Sequence, residues 1–159
     1  MELEFALRWA HIVGASLLLG TGAGIAFFMI MAHRTNNAVL IAHTAGIVVV
    51  ADYLFTASAV IVQPITGLWL AYIVGWSLTE GWLLVSIGLY VLTGLFWLPV
   101  VWIQSQLRNL AREASEQNTP LPERYFKLYQ IWFAFGFPAF FAVLGIVWLM
   151  VARPQFTLF

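Results

Sequence analysis

The chain has 159 residues, 62% of them apolar and 9% charged, with seven basic side chains against seven acidic ones. A soluble domain carries about 25% charged residues on average, so a soluble globular domain and a disordered tail are both excluded, and an even charge balance leaves no basic field to hold nucleic acid. With no cysteine in the sequence, disulfides, thiolate metal sites, iron–sulfur clusters and cysteine nucleophiles are excluded too.

A membrane helix needs about 20 mostly apolar residues. Four stretches qualify and predict helices over about 5–32, 39–73, 81–115 and 123–152, in a single transmembrane domain covering 1–159. The expected fold is all-α, an integral membrane four-helix bundle.

In the first helix, His11, Gly14, Leu18 and Gly22 share a face at helical spacing. Gly20, Gly22 and Gly24 thin its middle. Small residues let another helix approach closely, and they equally leave room for a flat macrocycle. The second stretch is too long for a simple crossing, and Pro64 is expected to kink it or end its straight part. At about 100° per residue, Asp52, Thr56, Gln63 and Thr66 fall within about 40° of one another, a polar stripe that should face the bundle interior. It reads as a proton or solute path, as a ligand's hydrogen-bond partner, or as interhelical glue.

The third helix places Ser86, Tyr90, Gly94, Trp97 and Gln104 on one side and continues past the bilayer to about Ser115, before Pro120 and Pro122 break the chain. The fourth offers Tyr129, Trp132, Gly136 and Phe140 as its inner face. Most of the eight tryptophans, Trp69, Trp76 and Trp82 among them, fit an interfacial belt.

Arg34, Arg108, Arg112, Arg124 and Lys127 gather in or beside the first and third links, while the opposite side has Arg8 and Arg153 with Glu2, Glu4 and Glu80. The positive-inside rule therefore puts both termini on the non-cytoplasmic side. The long apolar run behind an acidic N-terminus is not the pattern expected of a cleavable signal.

The three histidines divide by depth. His11 lies near the outer boundary and His33 and His43 near the inner one, so His11 and His43, roughly 25 Å apart in depth, cannot share one iron within a protomer. His11, with Met150 or water as an outer-side partner, is one site; His33 with His43 is another. No phosphate-binding loop, nucleophile elbow or zinc-protease motif is present, and no catalytic residue is assigned.

The run ALRWAHIVGASLLLGTGAGIAFFMIMAHRT resembles the first helix of the HemJ-type and CopD-type membrane protein superfamily. VVVADYLFTASAVIVQPITGLWLA and FPAFFAVLGIVWLMVARP resemble later helices of an uncharacterised bacterial family of predicted integral membrane proteins within it. The resemblance implies a small helical bundle in the bacterial inner membrane, with His11 as axial ligand to haem b or a related porphyrin; the inner helix faces put Gly14, Leu18, Gly22 and Tyr90 forward as the residues beside it. It implies electron transfer, porphyrin redox chemistry or haem handling. Ser86, Trp132, Phe135 and Gly136 stand where HemJ-type proteins carry polar side chains, so enzymatic activity stays open. Two other functions stay open beside it: a proton, metal-ion or small-solute path along the Asp52 stripe, and a structural accessory subunit. The lipid bilayer is the expected partner, with a homo-oligomer or a larger membrane complex left open.

Overall fold

The computed structural model describes residues 1–156. In chain order it contains α1 (Glu2–His33), α2 (Ala38–Ala51), a π-helical turn (Asp52–Thr56), α3 (Ala57–Val74), α4 (Gly81–Glu116) and α5 (Glu123–Ala152), with no strand among the described residues. The segment α2–π–α3 is one continuous 37-residue span, so the chain crosses four times, and all four spans are long and apolar enough for a bilayer. The fold is an all-helical membrane bundle, and four crossings put both termini at the same end.

Local chemistry sets the breaks. Asn36 takes a left-handed conformation at φ 49°, and Asn37 caps α2 by accepting from the Val39 and Leu40 N–H groups. Gly75, at φ 83°, ends α3 as a left-handed cap. At one end of the bundle His33 stacks on Tyr129, tying the first link to the start of α5. At the other, the Arg153 guanidinium lies 4.5 Å from the Trp76 ring centre, tying the C-terminus to the middle link.

α4 packs mainly along α5 and α2, and α1 along α3 and α2; α1 and α5 touch only sparsely. Two apolar clusters close the ends. One contains Met29, Ile41, Leu107, Tyr125 and Trp132, and the other Ala71, Trp82, Leu83 and Leu149. Large side chains such as Phe27, Phe28, Ile61, Leu95, Phe141 and Trp148 are exposed around the outside, where lipid tails receive them. Since lipid is as apolar as the interior, tight packing and interhelical hydrogen bonds must hold such helices together.

The second span departs from expectation at a different residue. The helix continues through Pro64, and the irregular turn falls at Asp52–Thr56, where the Ala57 N–H bonds to the Asp52 carbonyl five residues back. Proline lacks the N–H that would bond the carbonyl four residues earlier, that of Val60. The Tyr90 hydroxyl donates to that Val60 oxygen and so repairs the gap from α4.

Candidate functional site

Between the two end clusters the bundle opens into a central cavity of about 320 Å³. α1 contributes Leu18 and Gly22, the π turn Asp52 and Thr56, α4 Trp97 and Gln104, and α5 Trp132, Gly136, Phe137 and Phe140. A Cβ added at Gly22 or Gly136 would meet nothing within 4 Å, so these glycines do not serve a close helix contact at those positions; they widen the space. The lining is apolar apart from a few groups, and those are specific. Asp52, 4% exposed, accepts a long hydrogen bond of 3.4 Å from Trp97 Nε1. Gln104, 1% exposed, accepts through Oε1 from Trp132 Nε1 at 3.1 Å.

Two polar atoms of this lining are buried without a well-formed hydrogen bond: Thr56 Oγ1, which lies beside the Asp52 carboxylate, and Gln104 Nε2. Leaving such a group unmet costs about 1–3 kcal/mol, and in a membrane no bulk water is at hand to relieve it. Both residues line the same cavity. The π turn explains one of them. Each of its hydrogen bonds encloses one residue more than an α-helical bond, which widens the helix and offsets its faces at Asp52 and Thr56.

The stripe read from the sequence is buried at all four positions, and the fold distributes it over two places. Asp52 and Thr56 line the cavity. Gln63 and Thr66 instead face α1: Gln63 Nε2 donates to the His11 carbonyl at 2.8 Å, and Thr66 Oγ1 lies 2.8 Å from His11 Nδ1. The register of 100° per residue assumes a continuous α-helix and does not carry across a π turn.

The residues grouped around His11 separate in the same way. Leu18 and Gly22 line the cavity, while His11 does not. His11 lies in the α1–α3 seam over Gly67, where an added Cβ would come within 3.0 Å of its ring. Gly14 belongs to that seam as well, since a Cβ there would overlap the Gln63 amide nitrogen. Tyr90 is committed to the Val60 carbonyl. Met150, the outer-side partner considered for His11, packs against the Trp82 cluster. His43 is exposed and His33 is held by Tyr125 and Tyr129, so the structure does not bring these two histidines into one site. No group of three potential metal-ligating residues occurs among the described residues.

Gln104, Trp97 and Trp132 are the site residues that motif reasoning passed over. Helical spacing had already put them on inner faces; the missing signal was that Gln104 keeps one nitrogen unpaired.

Four apolar spans around a partly polar interior define an integral membrane protein. The chain belongs to the predicted integral membrane protein family DUF2269, whose profile matches residues 5–154. Nothing among curated proteins matches it, and nothing among solved structures does either.

Proposed function

We propose that this membrane protein binds a small lipid-soluble molecule in its central cavity, with both termini on the non-cytoplasmic side of a bacterial inner membrane. The observation that carries the reading is the pairing of Thr56 Oγ1 and Gln104 Nε2, two buried polar atoms without a well-formed hydrogen bond, on residues lining one apolar cavity. A purely structural bundle gains nothing from such atoms, whereas a binding site uses them to orient its ligand. Arg34 in the first link, with Arg108, Arg112, Arg124 and Lys127 on the helix ends flanking the third, supports the orientation. Native mass spectrometry of the detergent-solubilised protein tests the reading. A bound organic mass that survives mild activation and is released on unfolding is expected; a bare polypeptide that takes up no added lipophile would refute it.

A b-type haem or porphyrin on His11 is the second reading, and one observation favours it. The Thr66 hydroxyl lies 2.8 Å from both His11 Nδ1 and the Val62 carbonyl oxygen. If its single proton goes to Val62, Oγ1 accepts from Nδ1–H, which leaves the lone pair on Nε2, as in metal-binding histidines. Against it stands the donor set of the central cavity, whose lining holds no histidine, methionine, cysteine or tyrosine to ligate iron. A haem on His11 would therefore sit at the α1–α3 seam, where the imidazole already packs over Gly67. An absorption spectrum decides: a Soret band lost in His11→Ala supports haem, and a flat visible spectrum after haem addition removes it. The path reading is weakened because Gln63 and Thr66 already spend their hydrogen bonds on α1.

A further inference from the structure

We infer that the central cavity is shaped for a neutral, planar molecule of the quinone class, whose carbonyl oxygens accept hydrogen bonds from Gln104 Nε2 and Thr56 Oγ1. This deepens the cavity reading and rests on it.

Charge narrows the class first. No lysine, arginine or histidine lines the cavity, and Asp52 is its one ionisable group. A carboxylate or phosphate headgroup would enter without a counter-charge and would face Asp52, so an anionic lipid is disfavoured. Hydrogen-bonding direction narrows it further. Gln104 Oε1 is already taken by the Trp132 indole, so what remains free on that side chain is N–H, which can only donate. The Thr56 hydroxyl, beside the Asp52 carboxylate, makes no well-formed bond and is a second donor. Two unspent donors call for a ligand that accepts, and a carbonyl does so without bringing a donor of its own to be buried.

Shape supplies the third constraint. The walls carry the flat rings of Trp97, Trp132, Phe133, Phe137 and Phe140, surfaces that favour a planar π-system. The Asp52–Trp97 hydrogen bond marks one level of the cavity and the Gln104–Trp132 bond another. Trp97 and Gln104 lie seven residues apart on α4, or about 10 Å along its axis at 1.5 Å per residue. α2 and α4 cross in opposite directions, and side chains lean toward the N-terminus of their own helix. Thr56 lies four residues, about 6 Å, beyond Asp52 on the side away from Gln104, so the two donors start about 16 Å apart along the bundle and the lean of each side chain toward the other shortens that gap. Entry has a route: α1 and α5 pack sparsely, and each presents a glycine, Gly22 and Gly136, to the cavity. The inference concerns binding, and no electron transfer is assigned.

The test uses the full chain in detergent, with tryptophan emission followed while 1,4-naphthoquinone is added. Naphthalene, which has the same fused rings and no carbonyl, serves as the matched probe in competition with it. Saturable quenching by the quinone, with naphthalene binding roughly 10-fold more weakly, is expected from two neutral hydrogen bonds. Thr56→Val and Gln104→Met should each weaken quinone binding roughly 3-fold and leave naphthalene unaffected. Gln104→Met also strips the Trp132 indole of its acceptor, so Thr56→Val, which removes a hydroxyl without a well-formed hydrogen bond, is the variant that disturbs the fold less. Equal affinity for the two probes, or quinone binding indifferent to Thr56→Val, would overturn the quinone assignment while leaving a ligand cavity. Absence of saturable binding by either probe would overturn both.

Discussion

Along the α1–α3 seam, buried polar side chains are spent on one another. His11 meets Thr66, Gln63 reaches the His11 carbonyl, and Gly14 lacks a side chain where the Gln63 amide needs the room. A short distance away, in the central cavity, the same residue types stand unspent. Thr56 and Gln104 keep atoms without a well-formed hydrogen bond, and Gly22 faces open space. The seam resembles helix glue in a bilayer, where a glycine permits close approach and a hydrogen bond fixes it. The cavity has the residues of glue without its contacts. The contrast teaches that a threonine, a glutamine or a glycine inside a membrane says little by type; whether its bonds and its space are used decides between structure and binding.

Substitutions can break that contrast, beginning with the glycines. Gly14→Leu forces a side chain into the space of the Gln63 amide and should destabilise the fold by about 1–3 kcal/mol, read from detergent or thermal unfolding. Gly22→Leu fills a void and adds a better helix former, so its unfolding midpoint should hold or rise. A Gly14→Leu protein as stable as wild type would mean the seam is not tightly packed.

Thr66→Val is next in expected size. It leaves the half-buried His11 ring without its partner at Nδ1, at a cost of about 1 kcal/mol in the same measurement. Tyr90→Phe should cost somewhat less, about 0.6 kcal/mol, because it strips the Val60 carbonyl of the donor that stands in for the N–H missing at Pro64. Restoring that N–H with Pro64→Ala should make Tyr90→Phe nearly silent, and a double-mutant cycle reads the coupling. Thr56→Val should instead raise stability, by about 1 kcal/mol in the ligand-free protein, since no well-formed bond is lost and a buried unmet hydroxyl is removed.

Much of the fold was legible in the sequence because length and hydropathy suffice for membrane spans: the fourth expected helix, 123–152, coincides with α5 (Glu123–Ala152). Burial of Asp52, Thr56, Gln63 and Thr66 was legible too, since each is costly against lipid. Their division between seam and cavity was not. It follows from a π turn, and nothing in the apolar letters around DYLFT announces where one hydrogen bond lengthens from i→i+4 to i→i+5. Pro64 drew the expectation of a kink because a proline is visible in sequence, whereas a tyrosine on another helix that satisfies the freed carbonyl is not. The grouping of His11 with Leu18 and Gly22 failed for a related reason. A shared helix face fixes direction, and the neighbour met along that face changes with depth, from α3 at His11 and Gly14 to the cavity at Leu18 and Gly22.

The most direct measurement is the bound-ligand content of wild type and Gly22→Leu, compared by native mass spectrometry on preparations with matched unfolding midpoints. The account predicts a small organic adduct on the wild-type chain and its loss from Gly22→Leu at undiminished stability. Equal adduct on both proteins would contradict it, because the cavity beside Gly22 would then not be where the molecule binds.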